Sequence, residues 1–261
     1  MLKQQIFYWD ESKECSLFVP AADNEVMDGV KWGDCFTLFT PAYWYSQFKM
    51  QPHASNQEYR KKSNLVDEVV FCLLGGFGIT AEMSSAVFDK CKHFGLLEKM
   101  PSDEKEWLKV LGSSFLIDGS TKRYRYPNQK SRYLAGAMQF LKDGPFNNLE
   151  GKPLRDELLN VPGVGAKTAG WIVRNHTNTD DVAILDIHIH RAGVIAGFFD
   201  KNDDIQSDYY EMEERFLTFC KSLGVKPSLF DYFLWDQMRL FGRIAINAYN
   251  EVIIKNREIT Y

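Results

Sequence analysis

Apolar and polar positions alternate irregularly over residues 1 to about 45, then settle into helical spacing. The first stretch is rich in aromatics, Gly and Asp. Its short apolar runs, such as Cys35-Phe36-Thr37-Leu38-Phe39-Thr40, have a loop-and-strand texture. It reads as an N-terminal extension containing short strands. Gln51–Ser63 is polar and reads as a loop. From Asn64 onward helices dominate. Asn64-Leu65-Val66-Asp67-Glu68 joins a capping residue to first-turn acids, and apolar residues follow through Leu74 until Gly75-Gly76 breaks the run. Thr80-Ala81-Glu82 opens a helix running through Cys91, and Pro101–Lys105 opens another. Lys130–Leu141 carries a helical stripe at Tyr133, Leu134, Ala137, Met138 and Leu141. Further helices are expected before Pro162, after Gly165, and over 186–199, 208–223 and 227–250. No repeat, heptad or low-complexity tract interrupts them. The expected fold class is mostly α, with short loops between helices.

One segment departs from plain helical spacing, Leu158-Leu159-Asn160-Val161-Pro162-Gly163-Val164-Gly165-Ala166-Lys167-Thr168-Ala169-Gly170-Trp171. A helix ends at Asn160 because Pro162 cannot continue it. Gly163 and Gly165 permit positive φ and leave backbone N–H groups bare. A second helix begins near Ala166. The result is a tight αα turn whose donors point outward at a helix start, a nest for phosphate. Read alone, such a turn serves equally well to reverse the chain.

The neighbours of that turn carry candidate chemistry. Lys167 lies in the first turn of the second helix, where an ammonium opposes the helix dipole. A lysine held closer to its free amine is a nucleophile able to form a Schiff base. Nineteen residues later (186 − 167 = 19) the apolar run Val182–Leu185 enters a single acid, Asp186, before another helix. Each residue alone has a plainer reading, Lys167 as a solvated lysine and Asp186 as an N-cap.

Composition bounds these readings. The 261 residues suit one large domain or two small ones, and 45% hydrophobic with 25% charged is ordinary for a globular chain. The net charge of −4 argues weakly against nucleic acid, but it is an average. Thr121–Tyr133 holds five basic residues (Lys122, Arg123, Arg125, Lys130, Arg132) and no acid, with three tyrosines interleaved. That is a phosphate-contact patch or else a solvated basic loop. Asp200–Glu214 holds seven acids against Lys201, so removing its −6 leaves +2 for the rest of the chain. The five cysteines (15, 35, 72, 91 and 220) are odd in number and widely spaced, which fits reduced thiols and no zinc site. The first fifteen residues show no apolar signal core. Val69–Ala81, 13 uncharged residues, is too short to span a bilayer and reads as a buried helix.

Leu159-x-Val161-Pro162-Gly163-Val164-Gly165-x-Lys167-Thr168-Ala169, followed by Asp186-x-His188, resembles the helix–hairpin–helix DNA glycosylase superfamily, the relatives of endonuclease III and 8-oxoguanine DNA glycosylase. The resemblance extends over roughly 64–250. It implies a two-lobed helix–hairpin–helix glycosylase fold. Residues 1–45 would be the extension and 46–261 the helical core. One lobe would span about 64–178, and the second about 179–261 with part of the N-terminal region. It implies that Gly163, Val164 and Gly165 grip DNA phosphate, that Lys167 attacks the sugar and that Asp186 assists. A Lys at this position marks the bifunctional class, which also cuts the strand. His188 would contact a phosphate, or else be a buried, hydrogen-bonded histidine. Leu73–Thr80 resembles the helix end and loop from which relatives insert a side chain into the duplex. Phe77 holds the wedge position, although a core aromatic fits equally. Tyr126–Tyr133 resembles the loop and helix before the hairpin.

Departures from the pattern narrow the branch. Endonuclease III and many relatives carry four clustered cysteines for an iron–sulfur cluster. Here only Cys220 follows the hairpin, so no such cluster can form. The resemblance then implies the 8-oxoguanine branch, with no cofactor and at most a monovalent cation at the hairpin. Trp171 stands where the best-known eukaryotic members have a Cys against the flipped base, which reshapes the pocket. Trp171 and Trp235 are candidate stacking surfaces for that base, although Phe230–Trp235 reads mainly as a core helix.

The expected function is a bifunctional DNA N-glycosylase and abasic-site lyase acting on an oxidised purine, 8-oxoguanine first. Its partner would be double-stranded DNA containing the damaged base. It would work without a membrane, as a monomer, in a bacterial or archaeal cytosol or nucleoid, or in a eukaryotic nucleus. One alternative keeps the chemistry and changes the base to an oxidised pyrimidine or a hypermodified base of the phage type. Another is a non-catalytic helix–hairpin–helix DNA-binding protein.

Overall fold

Asn64 shows how closely local sequence dictates the helices: its side chain accepts from Asp67 N at 2.9 Å and starts the helix Leu65–Leu74. The computed structural model describes residues 3–51, 64–144, 146 and 148–258, with side chains as far as 254. The loop expected over 51–63 therefore lies outside the described residues except for Gln51. The strands are Lys3–Asp10 (β1), Lys13–Pro20 (β2), Glu25–Met27 (β3), Val30–Lys31 (β4), Ser114–Ile117 (β5) and Ser120–Arg123 (β6). They form three two-stranded antiparallel pairs, β1–β2, β3–β4 and β5–β6. The helices are Pro41–Met50 (α1), Leu65–Leu74 (α2), Ala81–His93 (α3), Leu96–Lys99 (α4), Glu104–Leu111 (α5) and Pro127–Asp143 (α6), continuing with Gly151–Leu158 (α7), Ala166–Thr177 (α8), Ile187–Ala196 (α9), Tyr209–Leu223 (α10), Pro227–Phe241 (α11) and Arg243–Glu258 (α12). The fold is mostly helical.

Two compact units emerge, one from 1–56 with 180–261, the other from 57–179. In the first, α1 packs on the β1–β2 hairpin and on α11, and α9 packs on α11 and α12. Its core is aromatic: Trp44, Phe198, Phe216, Phe219 and Phe230 are fully buried. Phe198 stacks on Phe219 with ring centroids 4.2 Å apart, and Phe48 meets Phe230 edge-on at 5.2 Å. The second unit packs α2 against α6 and α8, α5 against α6, and α7 against α8. Its core is largely aliphatic, built on Leu73, Leu74, Leu111, Leu134, Met138 and Leu154 around the buried Trp107.

Three sequence expectations need correction, and of the loop-and-strand texture read over Cys35–Thr40 the loop part holds. The run Cys35–Thr40 is a series of turns, because Asp34 accepts from Phe36 N and Thr40 caps α1. The boundary read at 45 thus falls inside α1, whose Trp44 and Phe48 belong to the core. Val69–Ala81 is not one buried helix: α2 stops at Leu74, and Phe77 beyond it is 87% exposed. The helix read over 227–250 is two, because Gly242 at φ +50 breaks the chain between α11 and α12.

Candidate active site

The hairpin joins α7 to α8. Val161 N donates to Leu158 O at 3.0 Å and Val164 N to Val161 O at 3.0 Å, closing the turn. Gly163 sits at φ +82, a conformation side chains resist. Gly165 does not share it: at φ −103, ψ 178 it is extended, because it enters α8 as the N-cap. What Gly165 contributes is openness, since among the described residues nothing lies within 4 Å of where its β-carbon would stand. Among the described residues no side chain caps the start of α8. The first helical bond runs from Ala169 N to Gly165 O at 2.8 Å. The N–H groups of Ala166, Lys167 and Thr168 precede it and meet no acceptor among the described residues. Val164 is buried, while Gly163, Gly165 and Lys167 are exposed. The arrangement offers three free donors, a helix dipole and an amine to an anion.

Two contacts seat the hairpin on α6. A β-carbon on Gly136 would come within 2.8 Å of Pro162 Cγ, and one on Gly163 would run into the Tyr133 ring. At the far end of α8, Asn175 Nδ2 donates to the buried Glu68 carboxylate on α2 at 3.4 Å. Trp171 follows Lys167 by one turn on the same helix face and is half-buried.

Asp186 is the N-cap of α9. Its Oδ1 accepts from His188 N at 2.8 Å and from Ile189 N at 3.1 Å. Oδ2 has no partner among the described residues. The extended run before it is fixed by buried side chains: Glu213 accepts from Ala183 N at 3.0 Å, Asp231 from Ile184 N at 3.2 Å, and the Tyr209 hydroxyl bridges Leu185 N and Ala183 O. One carboxylate oxygen is thus locked and the other left open. His188 is half-buried in the first turn of α9. The buried histidine is its neighbour His190, whose pKa burial lowers.

The basic strip is not one loop. Lys122 and Arg123 lie on β6, joined to β5 by Asp118-Gly119 with φ values of 52 and 71. The Asp-Gly pair was the sequence signal for this turn. Lys122 lies 3.7 Å from Asp118 at the surface, and Arg123 and Arg132 are exposed. The Arg125 guanidinium lies 5.8 Å from the Phe77 ring centroid and 5.1 Å from that of Tyr126. Lys130 turns inward: its Nζ donates to Gly75 O at 2.8 Å, and burial lowers its pKa. Beside it the Tyr124 hydroxyl donates to Leu74 O at 2.6 Å. No sequence signal marked Tyr124, which reads as one of three interleaved tyrosines.

In α11, Phe230, Phe233 and Leu234 are buried, while Tyr232 and Trp235 are half-buried and stack at 5.9 Å. Arg239 lies 4.7 Å over the Trp235 ring. Four acids of 200–214 serve local structure: Asp200, Asp204 and Asp208 accept backbone N–H bonds, and Asp203 pairs with Arg215 at 2.8 Å. Among the described residues no group of His, Cys, Asp and Glu is placed to hold a metal ion, and no helix is long and apolar enough to cross a membrane.

Comparison with known proteins bears on this geometry. A family model described as 8-oxoguanine DNA glycosylase matches residues 46–225. The 8-oxoguanine DNA glycosylase/AP lyase of Thermoplasma volcanium is 27% identical over 180 residues, covering 67% of this chain and 80% of that one. The protein of the same name from Picrophilus torridus is 28% identical over 183 residues, covering 67% and 78%. Among solved structures, the 8-oxoguanine DNA glycosylase of Methanocaldococcus jannaschii superposes with a TM-score of 0.50 at 25% identity, covering 74% of this chain and 82% of that one.

Proposed function

We propose, from the premise that this chain belongs to the 8-oxoguanine DNA glycosylase family, that it excises 8-oxoguanine from double-stranded DNA and then cuts the strand at the abasic site. The observation that carries the reading is the hairpin: three N–H groups at the start of α8 that meet no acceptor among the described residues, with the exposed Lys167 among them. A backbone phosphate fits those donors, with Gly163, Val164 and Gly165 allowing its approach. Relatives from two archaea carry the name glycosylase/AP lyase, and the M. jannaschii enzyme has been solved with DNA containing 8-oxoguanine.

The chemistry follows from the side chains. A base inside the duplex is out of reach, so the nucleotide leaves the stack, with Phe77 filling the gap. The flipped base stacks on Trp171, and Trp235 is a second aromatic surface for the nucleic acid. The open oxygen of Asp186 stabilises positive charge growing on the sugar as the glycosidic bond breaks. The Lys167 amine attacks C1′, and the bonding pair leaves with the base, which takes up a proton. Ring opening leaves an imine on Lys167. Loss of a C2′ proton then expels the 3′ phosphate, with its oxygen keeping the electron pair. His188 and the exposed cations Lys122, Arg123, Arg125 and Arg132 contact the phosphate backbone. No step requires a cofactor.

Borohydride trapping over a panel of lesion duplexes tests this. A covalent adduct with 8-oxoguanine DNA, absent in Lys167→Ala, is the expected result. An adduct only with oxidised pyrimidines or hypermodified bases would move the substrate. No adduct with any duplex would leave a DNA-binding protein without this chemistry.

A further inference from the structure

The last carbonyls of a helix lack helical partners and usually turn to water. At the end of α2 two of them are taken by side chains. Tyr124 Oη donates to Leu74 O at 2.6 Å and Lys130 Nζ to Gly75 O at 2.8 Å. Both donors sit in the basic strip, and both point into the protein. The phenol is buried and the ammonium half-buried, and burial raises the pKa of the first and lowers that of the second. Directly beyond lie Gly76 at φ +135 and Gly78 at φ +72, with Phe77 projecting between them. Arg125 braces the same loop, its guanidinium over Phe77 and in the space a β-carbon on Gly78 would need.

A loop with two left-handed glycines has little stiffness of its own. A side chain that enters a base stack transmits force only if its mount holds. We propose that Lys130 is a positioning residue for nucleotide flipping: with Tyr124 it clamps the carbonyls of Gly75 and Leu74, so that the loop presents Phe77 at a fixed attitude, and it contacts no phosphate. This rests on the reading of Phe77 as the inserted side chain. It removes Lys130 from the DNA-contact set, where its place in a run of cations had put it. The other four cations of the strip keep that assignment.

The test compares Lys130→Met, Lys130→Arg, Tyr124→Phe and Phe77→Ala in the full chain. Each is read for the salt dependence of duplex affinity, 2-aminopurine fluorescence beside the lesion, excision, and cleavage at a preformed abasic site, with melting curves checking the fold. Lys130→Met should leave the slope of log Kd against log salt unchanged and lower flipping and excision about 10- to 100-fold. It should spare cleavage at the preformed site, where no paired base needs extruding. Lys130→Arg, which keeps the donor, should recover most of the flipping. If Lys130→Met unfolds, Tyr124→Phe carries the same comparison through the other carbonyl. Adding Lys130→Met to Phe77→Ala should cost nothing further, because both act through one side chain. A salt slope reduced by about 0.9 with flipping intact would make Lys130 an ordinary phosphate contact and overturn the proposal. Normal flipping in Phe77→Ala would overturn the wedge reading itself. Impaired flipping in Phe77→Ala with normal flipping in both Lys130→Met and Tyr124→Phe would sink the clamp alone.

Discussion

The ring of Tyr133 occupies the space that a β-carbon on Gly163 would need. With Pro162 set against Gly136 on the same helix, the hairpin is seated on α6 through two side chains and two absent ones. Gly163→Ala should therefore cost about 1–3 kcal/mol for its left-handed φ, and more for displacing Tyr133. Gly165→Ala should cost no more than about 1 kcal/mol, the loss of a glycine N-cap, because its φ is ordinary and its β-carbon meets no described atom. It should still weaken duplex binding, since the new methyl stands beside the free N–H groups of α8. Urea unfolding and binding to an abasic-analogue duplex separate the two. Equal stability loss in both variants would contradict this account of the turn.

Asp186 combines a cap with a charge. Asn accepts the same two N–H bonds, so Asp186→Asn should leave unfolding nearly unchanged and lower single-turnover excision about 100-fold or more. Asp186→Ala should lose excision and also about 1 kcal/mol of stability. Full excision by Asp186→Asn would make the residue a cap and nothing else.

The hairpin and Asp186 were legible because their roles are local. A proline, two glycines and a lysine in one turn, or an acid at the mouth of an apolar run, constrain the backbone wherever the chain goes. Asn64, Thr80 and Asp103 were legible for the same reason, each bonding an N–H two or three residues on. What the sequence hid is non-local. Lys130 looks like Arg132 in the strip, and only Gly75, 55 residues earlier, turns it inward. Cys35–Thr40 has a loop-and-strand texture in sequence, and only Asp34 and Thr40 settle it as turns. His188 reads as a phosphate contact or else a buried histidine, and it is its neighbour His190 that the packing of α9 on α11 and α12 buries.

Trp171 lies one helical turn beyond Lys167 on the same face and is half-buried. If it stacks on the extruded base, Trp171→Ala should lower excision of 8-oxoguanine by about 10- to 100-fold, the equivalent of 1–3 kcal/mol of stacking. Trapping on a preformed abasic site should persist, because no base remains to stack. Equal losses on both substrates would instead place Trp171 in the support of α8.

His190 sets a limit on stability in acid. Its ring is buried, 6.4 Å from Phe199 and 5.9 Å from Tyr249, and neither nitrogen finds a hydrogen-bond partner of good geometry among the described residues. Burial is the largest influence and lowers its pKa below 6.5; Arg191 adds to this, while Asp203 and Asp204 partly oppose it. The folded chain thus takes up this proton less readily than the unfolded chain. Its contribution is fully present above pH 6.5 and is lost as the pH falls from there toward the folded value, at up to about 1.4 kcal/mol per unit. His190→Phe, which keeps a ring between Phe199 and Tyr249, should remove that limb. Urea midpoints measured from about pH 7.5 to 5 should fall more steeply in the native protein than in the variant. Parallel curves would show that His190 takes up its proton equally in both states.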